Sequence, residues 1–72
     1  MKKIKKIKIR INGKFLTINE NLSLSNFLKE LKIPLKKVAI ELNQEIIDKN
    51  NLKTIKLKNN DKIEIVHFIG GG

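Results

Sequence analysis

The 72-residue chain has no cysteine, tryptophan or tyrosine, one proline and one histidine. Without cysteine there is neither a disulfide nor a thiolate metal ligand, so no covalent or metal staple of that kind secures so short a chain. The three phenylalanines, Phe15, Phe27 and Phe68, stand singly along the sequence, which leaves nucleic-acid bases without a stacking platform. No apolar run reaches the roughly 20 residues that span a bilayer. Lysines recur through "MKKIKKIKIR" and interrupt any leader-like apolar segment. A cytoplasmic location is expected, with no membrane partner. Glycine is equally scarce: Gly13 stands alone, and the other three close the chain as Gly70, Gly71 and Gly72.

What is abundant is isoleucine and lysine. Hydrophobic residues make up 40% of the chain, enough for one sheet covered by one helix with a mainly aliphatic core. Sixteen basic residues outweigh seven acidic ones, giving a net charge of +9. Such a balance suits an anionic partner, but here it accompanies a general richness in Lys, Ile and Asn, so nucleic acid is not the expected partner.

Residues 7 to 11 read I-K-I-R-I, the two-residue alternation of a half-buried strand. Asn12-Gly13 then supplies the two left-handed positions of a tight hairpin turn. That turn pairs Ile11 with Lys14, Arg10 with Phe15, Ile9 with Leu16, Lys8 with Thr17 and Ile7 with Ile18. The isoleucines and Leu16 thereby share the core face, and Lys8, Arg10, Phe15 and Thr17 the outer one. In "NLSLSNFLKELKIP", Leu24, Phe27, Leu28 and Leu31 fall at helical spacing, with Ser23 as N-cap and Pro34 as a stop, predicting a helix of about ten residues. "VAIELN" gives a third strand with Val38, Ile40 and Leu42 inward. A turn at Asn43-Gln44 leads to a short strand over residues 45–47. An irregular stretch follows, with a helical turn near Leu52 and with Ile55 and Leu57 pinned to the core. "KIEIVHF" is the last strand, Ile63 and Ile65 on one side, Glu64, Val66 and Phe68 on the other.

Strand, strand, helix, strand, short strand, strand, with right-handed crossovers, leaves the central slot beside the first strand open for the last. The fold class is therefore α+β, a β-grasp mixed sheet of four to five strands with one helix on one face. The expected division is a domain over residues 1–69 and a glycine tail over 70–72. A terminal glycine run adds nothing to packing. It is either slack of the kind common at termini or the working end of the chain.

"INGKFLTI", "LSNFLKEL", "VAIELNQEII" and "NDKIEIVHFIGGG", which together cover nearly all of the chain from Ile7 to Gly72, resemble the ubiquitin-like β-grasp sulfur carriers, above all those of thiamin biosynthesis. One departure is Asn60-Asp61 where the family usually has Gly-Asp. Asparagine is the best non-glycine residue for a left-handed turn, so the turn is expected to survive. The resemblance implies a carrier that is a protein substrate, not an enzyme. The Gly72 carboxylate would be adenylated by an E1-like enzyme using ATP and Mg, then sulfurated by a persulfide from a sulfurtransferase or cysteine desulfurase system. The resulting thiocarboxylate would serve thiazole synthase. The carrier itself would hold no cofactor.

A carboxylate resists nucleophiles until it is activated, and glycine lets a backbone thread a narrow active site; Gly71 and Gly72 suit that task, with Gly70 as a third pivot. Ordering a tail costs about 1–2 kcal/mol per residue, so the domain must add a docking surface. Val66 and Phe68, beside the tail, are candidate anchors. Phe15 reads equally as an anchor and as a lone surface aromatic. His67 has no visible partner and reads as structural, and Glu41 and Glu45 read as solvated. Sulfur carriers for molybdopterin or tRNA thiolation, an amine-linked modifier and a small basic nucleic-acid-binding module are the competing readings. The last of these predicts steep salt dependence and survival of function without Gly71 and Gly72.

Overall fold

The computed structural model describes residues 5–68; the expected domain boundary after residue 69 and the glycine tail lie outside them. The elements are β1 (Lys6–Ile11), β2 (Lys14–Asn19), α1 (Leu24–Glu30), β3 (Val38–Leu42), β4 (Glu45–Ile46) and β5 (Lys62–His67), with 3-10 turns at Leu35–Lys37 and Lys49–Asn51. They form a five-stranded sheet in the order β2-β1-β5-β3-β4. β5 is central, parallel to β1 and antiparallel to β3. This is the mixed β-grasp sheet expected from the order of elements.

The β1–β2 hairpin has the register that the Asn12-Gly13 turn dictates, from Ile11 opposite Lys14 to Ile7 opposite Ile18. Asn12 and Gly13 have φ of 46° and 83°, both in the left-handed region such a turn needs. The second hairpin repeats the device with Asn43 at 52° and Gln44 at 74°. Asn60 stands at 73°, so the turn before β5 does survive the loss of glycine. Of the six non-glycine residues with positive φ among the described residues, four are asparagines. Asparagine does in this domain what glycine does elsewhere.

The core lies between the sheet and α1. Ile9, Leu24, Phe27, Leu28, Val38, Ile40, Leu57, Ile63 and Ile65 are buried, each aliphatic side chain contributing about 1.5–3 kcal/mol. Leu52, at the end of the second 3-10 turn, joins them. Its irregular surroundings gave no periodic signal of burial. Ile55 packs against the cluster only partly buried.

Three expectations need correction. The helix has seven residues, not about ten. Ser23 caps its start, accepting from the Asn26 N–H at 3.0 Å. It ends at Glu30 because the Ile33 N–H bonds back to the Leu28 carbonyl and the Lys32 N–H to that of Lys29. That is a Schellman closure with Lys32, at φ 57°, in the position usually held by glycine. The chain has already left the helix before Pro34. Leu31, expected in the buried stripe, is the C-cap and is 40% exposed. Leu16 also stays 37% exposed: it shares the face of Ile9 but sits on an edge strand.

Candidate functional site

The outer face of the sheet, opposite α1, carries two separate apolar features. One is built on β5 and its antiparallel neighbours. Val66 lies directly across from Ala39 on β3 and is half exposed. Phe68, just beyond β5, is anchored through its backbone, its N–H donating to the Lys37 carbonyl at 2.9 Å. Its ring is 59% exposed, with the Lys49 ammonium 5.5 Å from the centroid, a cation–π distance. Ile46, 76% exposed, pairs with Glu41 and so is the diagonal neighbour of Ala39 on this face.

Ile46 was not among the residues singled out from the sequence. A signal was present: the Asn43-Gln44 turn fixes Ile46 opposite Glu41, and Glu41 points outward because Val38, Ile40 and Leu42 point inward. Glu41 and Glu64 face each other across β3 and β5, and Glu64 is also 3.6 Å from Lys62 in an exposed ion pair of little energetic weight.

The second feature is Phe15. It is 62% exposed and opposes Arg10, which in turn aligns with Lys62 at the start of β5. The Arg10 guanidinium lies 4.7 Å and the Lys8 ammonium 5.6 Å from the ring centroid. Phe15 is thus an aromatic with two cations of β1 at cation–π distance from its ring. From Lys62 to Val66 the strand advances about 13 Å, and β2 lies about 10 Å across from β5. The structure therefore does not join Phe15 with Val66 and Phe68 into one patch.

His67 is exposed and its imidazole makes no hydrogen bond among the described residues. Glu45 is exposed and Glu41 only partly so. Among the described residues no three acidic or histidine side chains converge to hold a metal, and no helix is long and apolar enough to cross a membrane. Gly70, Gly71 and Gly72 lie outside the described residues.

A sheet whose last strand is central, with a helix on one face and an open, partly apolar face on the other, defines a ubiquitin-like β-grasp protein. Comparison with known proteins narrows the class. The profile of the ThiS family matches residues 6–72, and the sulfur carrier protein ThiS of Bacillus subtilis is 35% identical over 65 residues, spanning 89% of this chain and 98% of that protein. The crystal structure of a ThiS thiamine biosynthesis protein from Geobacter metallireducens matches with a TM-score of 0.81 at 30% identity, covering 92% of this chain and all of that one. The chain belongs to the ThiS family of ubiquitin-like sulfur carriers of thiamin biosynthesis. A protein named thiazole synthase, from Paramagnetospirillum magneticum, is 38% identical over 66 residues. The chain spans about a fifth of the length of that relative and of a second thiazole synthase, from Magnetococcus marinus.

Proposed function

We propose that the chain carries sulfur on its last residue for formation of the thiazole ring of thiamin. The Gly72 carboxylate attacks the α-phosphate of ATP, bound with Mg on an E1-like adenylating enzyme, and pyrophosphate leaves. The terminal sulfur of a persulfide, supplied by a sulfurtransferase or cysteine desulfurase system, attacks the acyl-adenylate and expels AMP. A thiol then reduces the acyl disulfide and releases the thiocarboxylate, whose sulfur goes to thiazole synthase. The chain's own part is to present the terminus, so it is a substrate in every step and needs no bound cofactor. The cytoplasm suits this chemistry.

The observation that carries the reading is membership of the ThiS family over residues 6–72, in a fold whose central strand is the element that precedes Gly70, Gly71 and Gly72 in the sequence. Thiazole synthase as recipient is supported by the two relatives of that name, in which a stretch similar to this chain forms about a fifth of the protein. Gly71 and Gly72 thread the partner sites, with Gly70 as an added pivot. Val66 and Phe68, joined by Ala39 and Ile46, form the docking face beside the tail, and Phe15 is a separate contact at the far end of β5.

The test is ATP–pyrophosphate exchange catalysed by the cognate adenylating enzyme. Exchange with the full chain and none with a chain lacking Gly71 and Gly72 is expected. Equal exchange with both would overturn the reading.

A further inference from the structure

β1 accompanies β5 for only part of its length. Their paired residues are Arg10 with Lys62 and Ile11 with Ile63, and the ladder continues one step when the Asn12 N–H donates to the Ile63 carbonyl at 3.0 Å. There the chain turns back at Gly13. The next residue of β5 on that flank, Ile65, should have lost its partner. Instead the Asn12 side chain takes up both of its backbone groups: Oδ1 accepts from the Ile65 N–H at 2.8 Å and Nδ2 donates to the Ile65 carbonyl at 3.4 Å. A carboxamide offers the same donor and acceptor as a peptide group. Asn12 thus stands in for a residue of β1 that the turn has removed.

The alternation of β5 makes this the last hold on that flank. The Lys62 carbonyl and the Phe68 N–H bond toward the β3 side, to Asn43 and Lys37, so Ile63, Ile65 and His67 face β1. The His67 backbone groups have no hydrogen-bond partner among the described residues. Beyond Ile65, among the described residues, the strand is held from the β3 side alone.

Resting on the carrier reading above, we propose that Asn12 is a positioning residue for activation of Gly72. Its amide keeps β5 ordered up to the point where the chain leaves the sheet, so that fewer residues must be ordered when the terminus enters a partner's active site. If the amide is lost, the strand frays back from His67. The fraction of molecules ready to dock then falls, and apparent affinity falls in proportion. Chemistry at the bound terminus is unchanged, so the effect belongs in KM and not in kcat.

The experiment uses Asn12→Gly, which keeps a residue at ease in the left-handed turn and removes only the amide. Asn43→Gly is its control at the other hairpin. Amide hydrogen exchange is measured at Ile65 and Ile63, and steady-state kinetics of pyrophosphate release with the adenylating enzyme and ATP. For Asn12→Gly, the Ile65 amide is expected to lose nearly all of its protection from exchange, as a strand end frayed in about nine molecules of ten requires, with Ile63 within about twofold of wild type. KM should rise by about tenfold with kcat within about twofold, and Asn43→Gly should leave KM within about twofold. Asn12→Asp keeps the acceptor and the turn but loses the donor; a smaller rise in KM is expected, and it carries the test if the glycine variant is too unstable. An unchanged KM in Asn12→Gly, unchanged Ile65 exchange, or an equal rise in Asn43→Gly would each overturn the positioning role while the carrier reading stands. No pyrophosphate release with the wild-type chain would overturn the carrier reading and the positioning role with it.

Discussion

Two asparagine turns hold the central strand, one near each end, and they differ in what they hold. At the entrance to β5, Asn43 accepts from the Lys62 N–H at 2.9 Å and donates to Asp61 Oδ1 at 3.0 Å. Asp61 in turn receives the Lys58 N–H on its other oxygen at 2.7 Å. These bonds bind the strand's start to the loop that precedes it. At the exit, the Asn12 side chain bonds, among the described residues, to Ile65 alone, through its backbone N–H and carbonyl, in a part-buried setting where the next residues in sequence lead to the glycines. The same residue type in the same kind of turn therefore serves cohesion of the domain at one end and presentation of the terminus at the other.

The largest expected effect comes from removing what both turns depend on. Ile63 is fully buried between the two held positions, and Ile63→Ala should cost about 3–4 kcal/mol. In so small a domain that is a large share of total stability, and urea unfolding should show a midpoint displaced far enough to leave much of the chain unfolded. Both ends of β5 should then lose exchange protection together.

Next in size is Asn43→Ala. It places a side chain that resists the left-handed region at φ 52° and leaves the Lys62 N–H without its acceptor. The expected loss is about 2 kcal/mol in urea unfolding, with the activation KM of the folded protein unchanged. A tenfold rise in that KM would break the division between cohesion and presentation. Asn12→Gly should show the reverse pattern, a stability loss of about 1 kcal/mol accompanied by the KM effect.

The smallest effect sharpens the comparison by its sign. Lys32 also occupies a left-handed position, at φ 57°, but its side chain is exposed and makes no hydrogen bond among the described residues. Lys32→Gly should therefore stabilise the domain by about 1 kcal/mol, where glycine at Asn12 or Asn43 destabilises it. A loss on thermal unfolding at Lys32 would mean that the side chain has a role its surroundings do not reveal.

The same contrast explains what was legible in the sequence. The first hairpin could be paired residue by residue, because Asn12-Gly13 fixes the turn and two-residue alternation fixes the faces. The position of β5 followed from chain order and the handedness of crossovers. The outward parity of Val66 and Phe68 also followed from alternation, and their exposure agrees with it. Helix length was overestimated because a lysine in a glycine's place gives no stop signal, and although the helical turn near Leu52 was read, the burial of Leu52 was not, because an irregular segment has no period. The Asn12 amide was out of reach for a different reason. Its bond to Ile65 spans 53 positions and depends on how far β1 runs beside β5, a length that neither strand's own pattern specifies.

The most direct test of the account is intact mass spectrometry of the chain through one complete cycle, first with adenylating enzyme, ATP, a persulfide source and a reducing thiol, then with thiazole synthase and its other substrates. The account predicts a gain equal to one sulfur replacing one oxygen, confined to a C-terminal fragment that contains Gly72, and a return to the starting mass after the synthase step. A chain that gains no sulfur with an adenylating enzyme shown to be active on another carrier would contradict it.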